Sequence, residues 1–211
     1  MGRAPTVGPR STNATRSIHP PAGTWDHPPM TSTWAELLDR HRRRHRTVPE
    51  DAPGTVPAHR PRAAVLGCSD ARVAPTPLFD AGPGELFTIR LAGHVATTEV
   101  LASLDFAVGV LGVDTVIVLG HTHCGAVTAA LDDDADPALA SLLSPIRHGL
   151  GPGITDVDTA VRRHVANTVR AIARHAGTAG RAVREERAEL VGAVHDLATG
   201  GLEPLSEPLA F

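Results

Sequence analysis

The sequence lacks several residue types and patterns that would point to particular protein classes. Among its 211 residues there is no lysine, glutamine or tyrosine, and all 20 basic residues are arginine. Two cysteines are too few for a disulfide-stabilised scaffold. No uncharged apolar run reaches the roughly 18 residues that a membrane-spanning helix needs. The first 30 residues have no apolar segment typical of a secretory signal, which predicts a protein of the reducing cytoplasm.

The charge balance gives no general reason to expect a polyanionic partner. The formal net charge is −3, so we expect neither nucleic acid nor an anionic membrane surface to bind. One dense basic run, Arg40–Arg46, is the exception, and nucleic-acid binding through it is an open alternative. Its place at the end of a predicted helix favours a solvated face whose arginines suit the negative end of the helix dipole.

The chain length favours one domain preceded by a tail, at roughly 150 residues per domain. Residues 1–30 are rich in Pro, Gly, Ser, Thr and Arg and have few large aliphatic side chains, which predicts a disordered N-terminal tail. Residues 31–211 are predicted to form the folded domain. It would begin with a helix from Trp34 to about Arg46, with Thr33 as N-cap, followed by a loop or arm over 47–62.

The rest of the chain alternates between two hydrophobic patterns. Short apolar runs predict buried strands at 63–67, 86–89, 115–120 and 190–194. Helical spacing predicts helices over 98–111, along a valine stripe from 157 to 172, and over 181–189. A glycine pair near Gly200 predicts a hairpin turn into a short last strand. This alternation predicts an α/β fold with a mostly parallel central sheet, covered on both faces by helices.

Both cysteines directly follow predicted strands, where open α/β sheets bind ligands. Cys68 follows the first strand, and Cys124 comes three residues after His121 at the end of another. Two thiolates and an imidazole suit tetrahedral zinc, with one position left for solvent. Three alternatives remain open: buried free thiols, a disulfide, and ligation by His123 in place of His121.

Asp70 and Arg72 follow Cys68 closely enough for a turn to join their side chains above a metal. A carboxylate held by a guanidinium stays ionised and can accept a hydrogen bond from a metal-bound water. The alternative is an ordinary surface ion pair.

These residues belong to an ordered series of motifs that resembles the β-carbonic anhydrases. The motifs are Cys68-x-Asp70-x-Arg72, Pro83-Gly84-Glu85-Leu86-Phe87, Arg90-x-Ala92-Gly93 and His121-x-x-Cys124-Gly125. The resemblance implies the fold of that family and a catalytic domain over 31–211. It also implies reversible hydration of carbon dioxide to bicarbonate and a proton, in a homodimer or a higher homo-oligomer.

The resemblance assigns a role to each site residue. Cys68, His121 and Cys124 would bind one zinc ion per chain, and Asp70 and Arg72 would form the catalytic dyad that orients zinc-bound hydroxide. The substrate pocket would be lined by six residues: His59, Phe87, Ala92, Gly93, Phe106 and Gly125. In this family the neighbouring subunit completes the pocket.

The sequence departs from the family pattern at three places. His59 stands where the family usually has glutamine, and Arg90-Leu91-Ala92-Gly93-His94 replaces the common Arg-Asn-x-Gly-Asn. Val65 and His195 stand where some members have the Trp and Tyr of an inhibitory bicarbonate site, so we expect that site to be absent. Two rival functions stay open: hydrolysis of carbon disulfide or carbonyl sulfide on the same fold, and a non-catalytic zinc-bearing relative.

Overall fold

The computed structural model describes residues 31–45 and 59–205. Helix α1, Thr31–His45, belongs to one unit of the chain, and the described residues 59–205 belong to a second. The predicted tail 1–30 and most of the predicted loop 47–62 lie outside the described residues. The predicted first helix is confirmed, but it begins at Thr31, so Thr33 lies inside it and is not its N-cap.

The second unit is built on a five-stranded sheet in the order β2-β1-β3-β4-β5. Its strands are β1 (Ala63–Gly67), β2 (Leu86–Arg90), β3 (Thr115–His121), β4 (Glu189–His195) and β5 (Leu202–Pro204). The first four run parallel, and only β5 is antiparallel to its neighbour. The predicted α/β class and mostly parallel sheet are therefore confirmed.

Within residues 59–205, six α-helices accompany the sheet. They are α2 (Pro75–Leu78), α3 (Thr98–Gly109), α4 (Gly125–Ala130), α5 (Ala140–Leu150), α6 (Val157–Arg174) and α7 (Thr178–Arg184). Short 3₁₀ turns lie at Ala92–His94 and Pro137–Leu139. The predicted helix over 181–189 is displaced toward the N-terminus, because α7 ends at Arg184 and Glu186 adopts a left-handed φ of 56°.

The two sheet faces are covered unequally. The larger apolar cluster lies on the face where alternate residues of β1 and β3, such as Leu66 and Val118, pack with α6 residues such as Val161 and Val165. The other face carries a small cluster around Val65, Val73 and Leu119. The helical layer is thus concentrated on one side of the sheet.

Strand register places the two cysteine-bearing segments side by side. Gly67, the last residue of β1, is paired with Leu119 of β3 on one side and with Arg90 of β2 on the other. The residues that follow these positions, Cys68 and the pair Gly120-His121, therefore emerge together at the carboxyl edge of the sheet. This edge is where parallel α/β sheets bind ligands.

Candidate metal centre

Three potential metal ligands converge at this edge. The ligand atoms of Cys68, His121 and Cys124 all lie within 4.8 Å of one another, and all three residues are buried. Cys68 immediately follows β1, His121 ends β3, and Cys124 occupies the N-cap position of α4. Both cysteines are free thiols, so they do not form the disulfide that the sequence left open.

The imidazole of His121 is oriented for ligation through one nitrogen. Its Nδ1 lies 2.9 Å from the carbonyl oxygen of Thr122, which only accepts, so Nδ1 carries the proton. Its Nε2 is buried and has no hydrogen-bond partner. A buried nitrogen lone pair without a partner is costly, and binding a metal ion removes that cost. His123 is exposed, and the ligand cluster among the described residues contains His121 instead.

The donor set fits zinc. At zinc–ligand distances of about 2.0–2.3 Å, tetrahedral donors lie about 3.5–3.8 Å apart, which agrees with the observed clustering. The neighbouring Cys124 thiol, the His121 ring and the backbone N–H groups of Gly93 and Asp70 outweigh burial and lower the pKa of Cys68. The hydrogen bond that Cys124 shares with Cys68, together with burial, raises the pKa of Cys124. Bound zinc would favour a thiolate at both positions.

Asp70 and Arg72 form a bidentate ion pair beside this cluster. Arg72 Nε donates to Asp70 Oδ1 at 2.9 Å and Nη2 donates to Oδ2 at 2.7 Å. The backbone N–H of Arg72 also donates to Oδ1, at 3.0 Å. These hydrogen bonds hold the pKa of Asp70 well below its ordinary value. Asp70 Oδ2 lies 4.0 Å from His121 Nε2, so an ionised carboxylate faces the cluster.

Arg90 holds the loop that carries both Cys68 and Asp70. Its Nε donates to the Cys68 carbonyl at 3.0 Å, and its Nη2 donates to the Asp70 carbonyl at 2.6 Å. One side chain thus fixes the backbone of a ligand and of its neighbouring carboxylate. This role of Arg90 was not predicted from the sequence, although its place at the end of β2 was a possible signal.

The six predicted pocket residues lie in two groups. Gly93 donates its backbone N–H to Cys68 Sγ at 3.4 Å, Ala92 precedes it, and Gly125 follows Cys124 with open space on its Cα. The other three form an aromatic cluster, in which the Phe87 ring lies 6.1 Å from His59 and 6.2 Å from Phe106 between centroids.

The aromatic cluster is distant from the thiols of its own chain. Phe87 is paired with Ala64, four residues before Cys68, which corresponds to about 13 Å along an extended strand. The ring of Phe106 belongs to an exposed residue of α3, with 47% of its surface accessible. The structure therefore places Gly93 and Gly125 next to the candidate ligands, with Ala92 adjacent to Gly93 in sequence, and a substrate role for all six residues stays a prediction.

No helix in the described part of the chain is long and apolar enough to cross a membrane.

Comparison with known proteins places this chain in a family. The family model described as carbonic anhydrase matches residues 63–202. A carbonic anhydrase of Mycolicibacterium smegmatis is 38% identical over 155 residues, or 69% of this chain and 75% of the relative. One from Pseudomonas aeruginosa is 34% identical over 162 residues, or 69% of this chain and 73% of that relative.

Solved structures show the same fold. A tetrameric β-carbonic anhydrase of Sordaria macrospora superposes with a TM-score of 0.72 at 23% identity, covering 84% of this chain and 98% of that one. A β-carbonic anhydrase of Aspergillus fumigatus gives a TM-score of 0.66 at 26% identity, covering 84% and 92%. The ordered motifs, the ligand cluster and these likenesses together establish that the chain belongs to the β-carbonic anhydrase family of enzymes.

Proposed function

We propose that this protein catalyses the zinc-dependent, reversible hydration of carbon dioxide to bicarbonate and a proton. The observation that carries the proposal is the ionised Asp70 carboxylate, held on two sides by Arg72 and lying 4.0 Å from the buried, unpartnered nitrogen of His121. A zinc-bearing relative without activity would have no need of this pair.

Cys68, His121 and Cys124 would hold the metal. Zinc supplies a water-derived nucleophile near neutral pH, by lowering the pKa of a coordinated water to about 7 in the best-studied cases. Two thiolates neutralise the formal charge of the ion, which weakens it as a Lewis acid. The protein groups around the open position therefore matter more than they would beside three imidazoles.

Asp70 orients the reacting water molecule. Oδ1 already accepts from the Arg72 backbone N–H and from Nε, and Oδ2 accepts from Nη2, so the lone pair that remains on Oδ2 can accept from a water. Because the carboxylate is ionised, it accepts and does not donate, which fixes the direction of that hydrogen bond. Arg72 keeps the carboxylate both ionised and stationary.

The released proton has to reach solvent. His94 is fully buried, so its ring has no direct contact with bulk water. His123 directly precedes Cys124 and is exposed, and His59 is exposed as well. These two are better placed than His94 to transfer the proton.

Carbon dioxide carries no net charge and is best held by apolar walls. Ala92, Gly93 and Gly125 provide small groups beside the ligands. We propose that the aromatic cluster of His59, Phe87 and Phe106 completes the pocket of a neighbouring subunit, because it lies too far from the ligands of its own chain. This requires a homodimer or a higher homo-oligomer, and a related fungal enzyme is described as tetrameric.

We place the protein in the reducing cytoplasm, because two free thiols in close proximity would otherwise be prone to oxidation.

The deciding experiment is a stopped-flow carbon dioxide hydration assay, with zinc quantified on the same sample. Asp70→Asn should retain about one zinc per chain and lose roughly 10²–10³-fold in kcat, the usual effect of removing one orienting hydrogen bond from a preorganised site. Glu203→Gln is the matched control, because it removes another bidentate carboxylate–arginine pair, with Arg162, on a different part of the chain. Unchanged turnover in Asp70→Asn would contradict the dyad. Hydrolysis of carbonyl sulfide or carbon disulfide without carbon dioxide hydration would instead favour the rival substrate.

A further inference from the structure

One glycine connects the metal centre to the helical layer behind it. The backbone N–H of Gly93 donates to Cys68 Sγ at 3.4 Å, and its carbonyl oxygen lies 2.6 Å from Nε2 of His164 on α6. Both hydrogen bonds are buried. His164 is 71 residues away from Gly93 in sequence.

The conformation of Gly93 leaves little freedom for these two groups. Gly93 adopts φ 68° and ψ 15°, a left-handed conformation that glycine tolerates and other residues rarely adopt. A Cβ at this position would lie 2.7 Å from Ile146 Cδ1 and 3.1 Å from Ala126 Cβ. The N–H and the C=O belong to successive peptide units on either side of one Cα. Fixing the second unit therefore restricts the orientation of the first.

The protonation of His164 follows from its partner. A carbonyl oxygen can only accept, so Nε2 of His164 carries the proton and donates it. His164 is 4% exposed, and burial lowers its pKa, which favours the neutral ring. The ring of His94 packs against it with centroids 4.6 Å apart, so the imidazole is held on its face as well as at its edge.

We propose that His164 is a positioning residue of the metal centre, which holds Gly93 so that its N–H donates to the Cys68 thiolate. The inference rests on the proposed zinc site. An N–H···S hydrogen bond withdraws charge from a thiolate ligand and leaves the metal more electrophilic. Groups that orient ligands from behind in this way typically change metal affinity by about 10–100-fold when they are removed.

The first test uses the cobalt-substituted full-length protein. His164→Leu, which has no donor, should move the thiolate-to-cobalt charge-transfer band to longer wavelength, because the sulfur lone pair is no longer stabilised. It should also weaken zinc binding about 10–100-fold and raise the midpoint of the kcat–pH profile. His164→Gln restores an N–H donor and should reverse these changes. Val169→Ala is the control, because it removes buried volume from the same helix without touching Gly93.

A second measurement needs no substitution. In the cadmium-113-substituted wild-type protein, the Gly93 amide should show scalar coupling to the metal across the hydrogen bond. The ring nitrogens of His164 should report the Nε2–H tautomer. Absence of the coupling, or the opposite tautomer, would overturn the inference.

Two further outcomes would also count against it. A folded His164→Leu variant with the band position and zinc affinity of Val169→Ala would refute the positioning role. So would a His164→Gln variant that behaves like His164→Leu. A wild-type protein with a normal cobalt spectrum and no hydration activity would contradict the proposed function alone, since the spectral shift and the affinity would still test His164.

Discussion

Gly120 is the position where a single added methyl group should have the largest predictable effect. It precedes His121 on the central strand β3 and packs against α6. A Cβ built at Gly120 would lie 2.4 Å from Val165 Cγ2 and 3.4 Å from Val161 Cγ1. Ordinary carbon–carbon contacts are about 3.5–4.0 Å, so the Gly120→Ala variant requires more than about 1 Å of displacement.

The strand cannot move away easily, because β3 is hydrogen-bonded to β1 on one side and to β4 on the other. Most of the displacement must therefore come from α6. Overpacking of this kind costs about 1–3 kcal/mol of unfolding free energy. For a chain of this size each kcal/mol lowers the melting temperature by about 2–4 °C.

The assay is a double-mutant cycle followed by thermal or denaturant unfolding. Val165→Ala alone should destabilise the fold by about 2 kcal/mol, because it leaves a small cavity. Combined with Gly120→Ala, it removes the clashing methyl group. The two changes should therefore cost less together than the sum of the single costs, with a coupling of about 1 kcal/mol or more.

Activity provides an independent readout, because the strand positions the ring of His121. A displacement of about 1 Å at a reacting centre can cost about 10²-fold in rate. We expect Gly120→Ala to lose zinc affinity or turnover in addition to stability. Adding Val165→Ala to this variant should restore part of the stability and part of the lost affinity or turnover. Wild-type stability in Gly120→Ala, or strictly additive costs in the cycle, would refute the packing argument.

Three further predictions concern other parts of the chain. Cys124→Ser should release the metal, and elemental analysis that still gives about one zinc per chain would contradict ligation. Burial opposes ionisation of Asp105, but the Ala179 amide and the His175 ring donate to it and its pKa is lowered, so stability should fall as the pH drops below the unfolded value of about 4. When unfolding is measured at decreasing pH, Asp105→Asn should lose less free energy of unfolding than the wild type. An unchanged dependence on pH would contradict a stabilising role for the Asp105–His175 pair. Light scattering on a sample with measured hydration activity should give the molar mass of at least a dimer, whereas a fully active monomer would contradict the shared pocket.

The sheet could be predicted from sequence because its signal is local. Runs such as 63–67 and 115–120 are apolar on both faces, as buried parallel strands require, and their order in the chain implies the crossover helices. The valine stripe of α6 was similarly explicit, since one face of that helix repeats every three or four residues. The two candidate cysteine ligands could also be predicted from the sequence, because both follow such strands directly.

The bounds of α7 could not be predicted from local sequence patterns, because contacts with distant residues determine them. The start of α7 is fixed by Asp105 on α3, whose carboxylate accepts the backbone N–H of Ala179 at 2.8 Å. Near its end, Arg184 donates to the His175 carbonyl at 2.9 Å. The partners in these two contacts, Asp105 and His175, both lie outside the sequence window 178–189, so the window alone could not predict where the helix begins and ends. The role of His164 could not be predicted for the same reason, because a valine-rich helix face gives no indication that one histidine contacts a glycine 71 residues away.

The bidentate hydrogen bonding between Arg72 and Asp70 also decides whether Asp70 can hold the proton that the reaction releases. Each hydration cycle liberates one proton, and a group can store it between cycles only if its acidity is close to that of the surrounding medium. Because its pKa is so strongly lowered, the Asp70 carboxylate stays deprotonated at all pH values near neutrality. In the proposed mechanism Asp70 is therefore a hydrogen-bond acceptor that does not store the released proton, so we expect other groups to carry that proton to solvent and turnover to rise with buffer concentration.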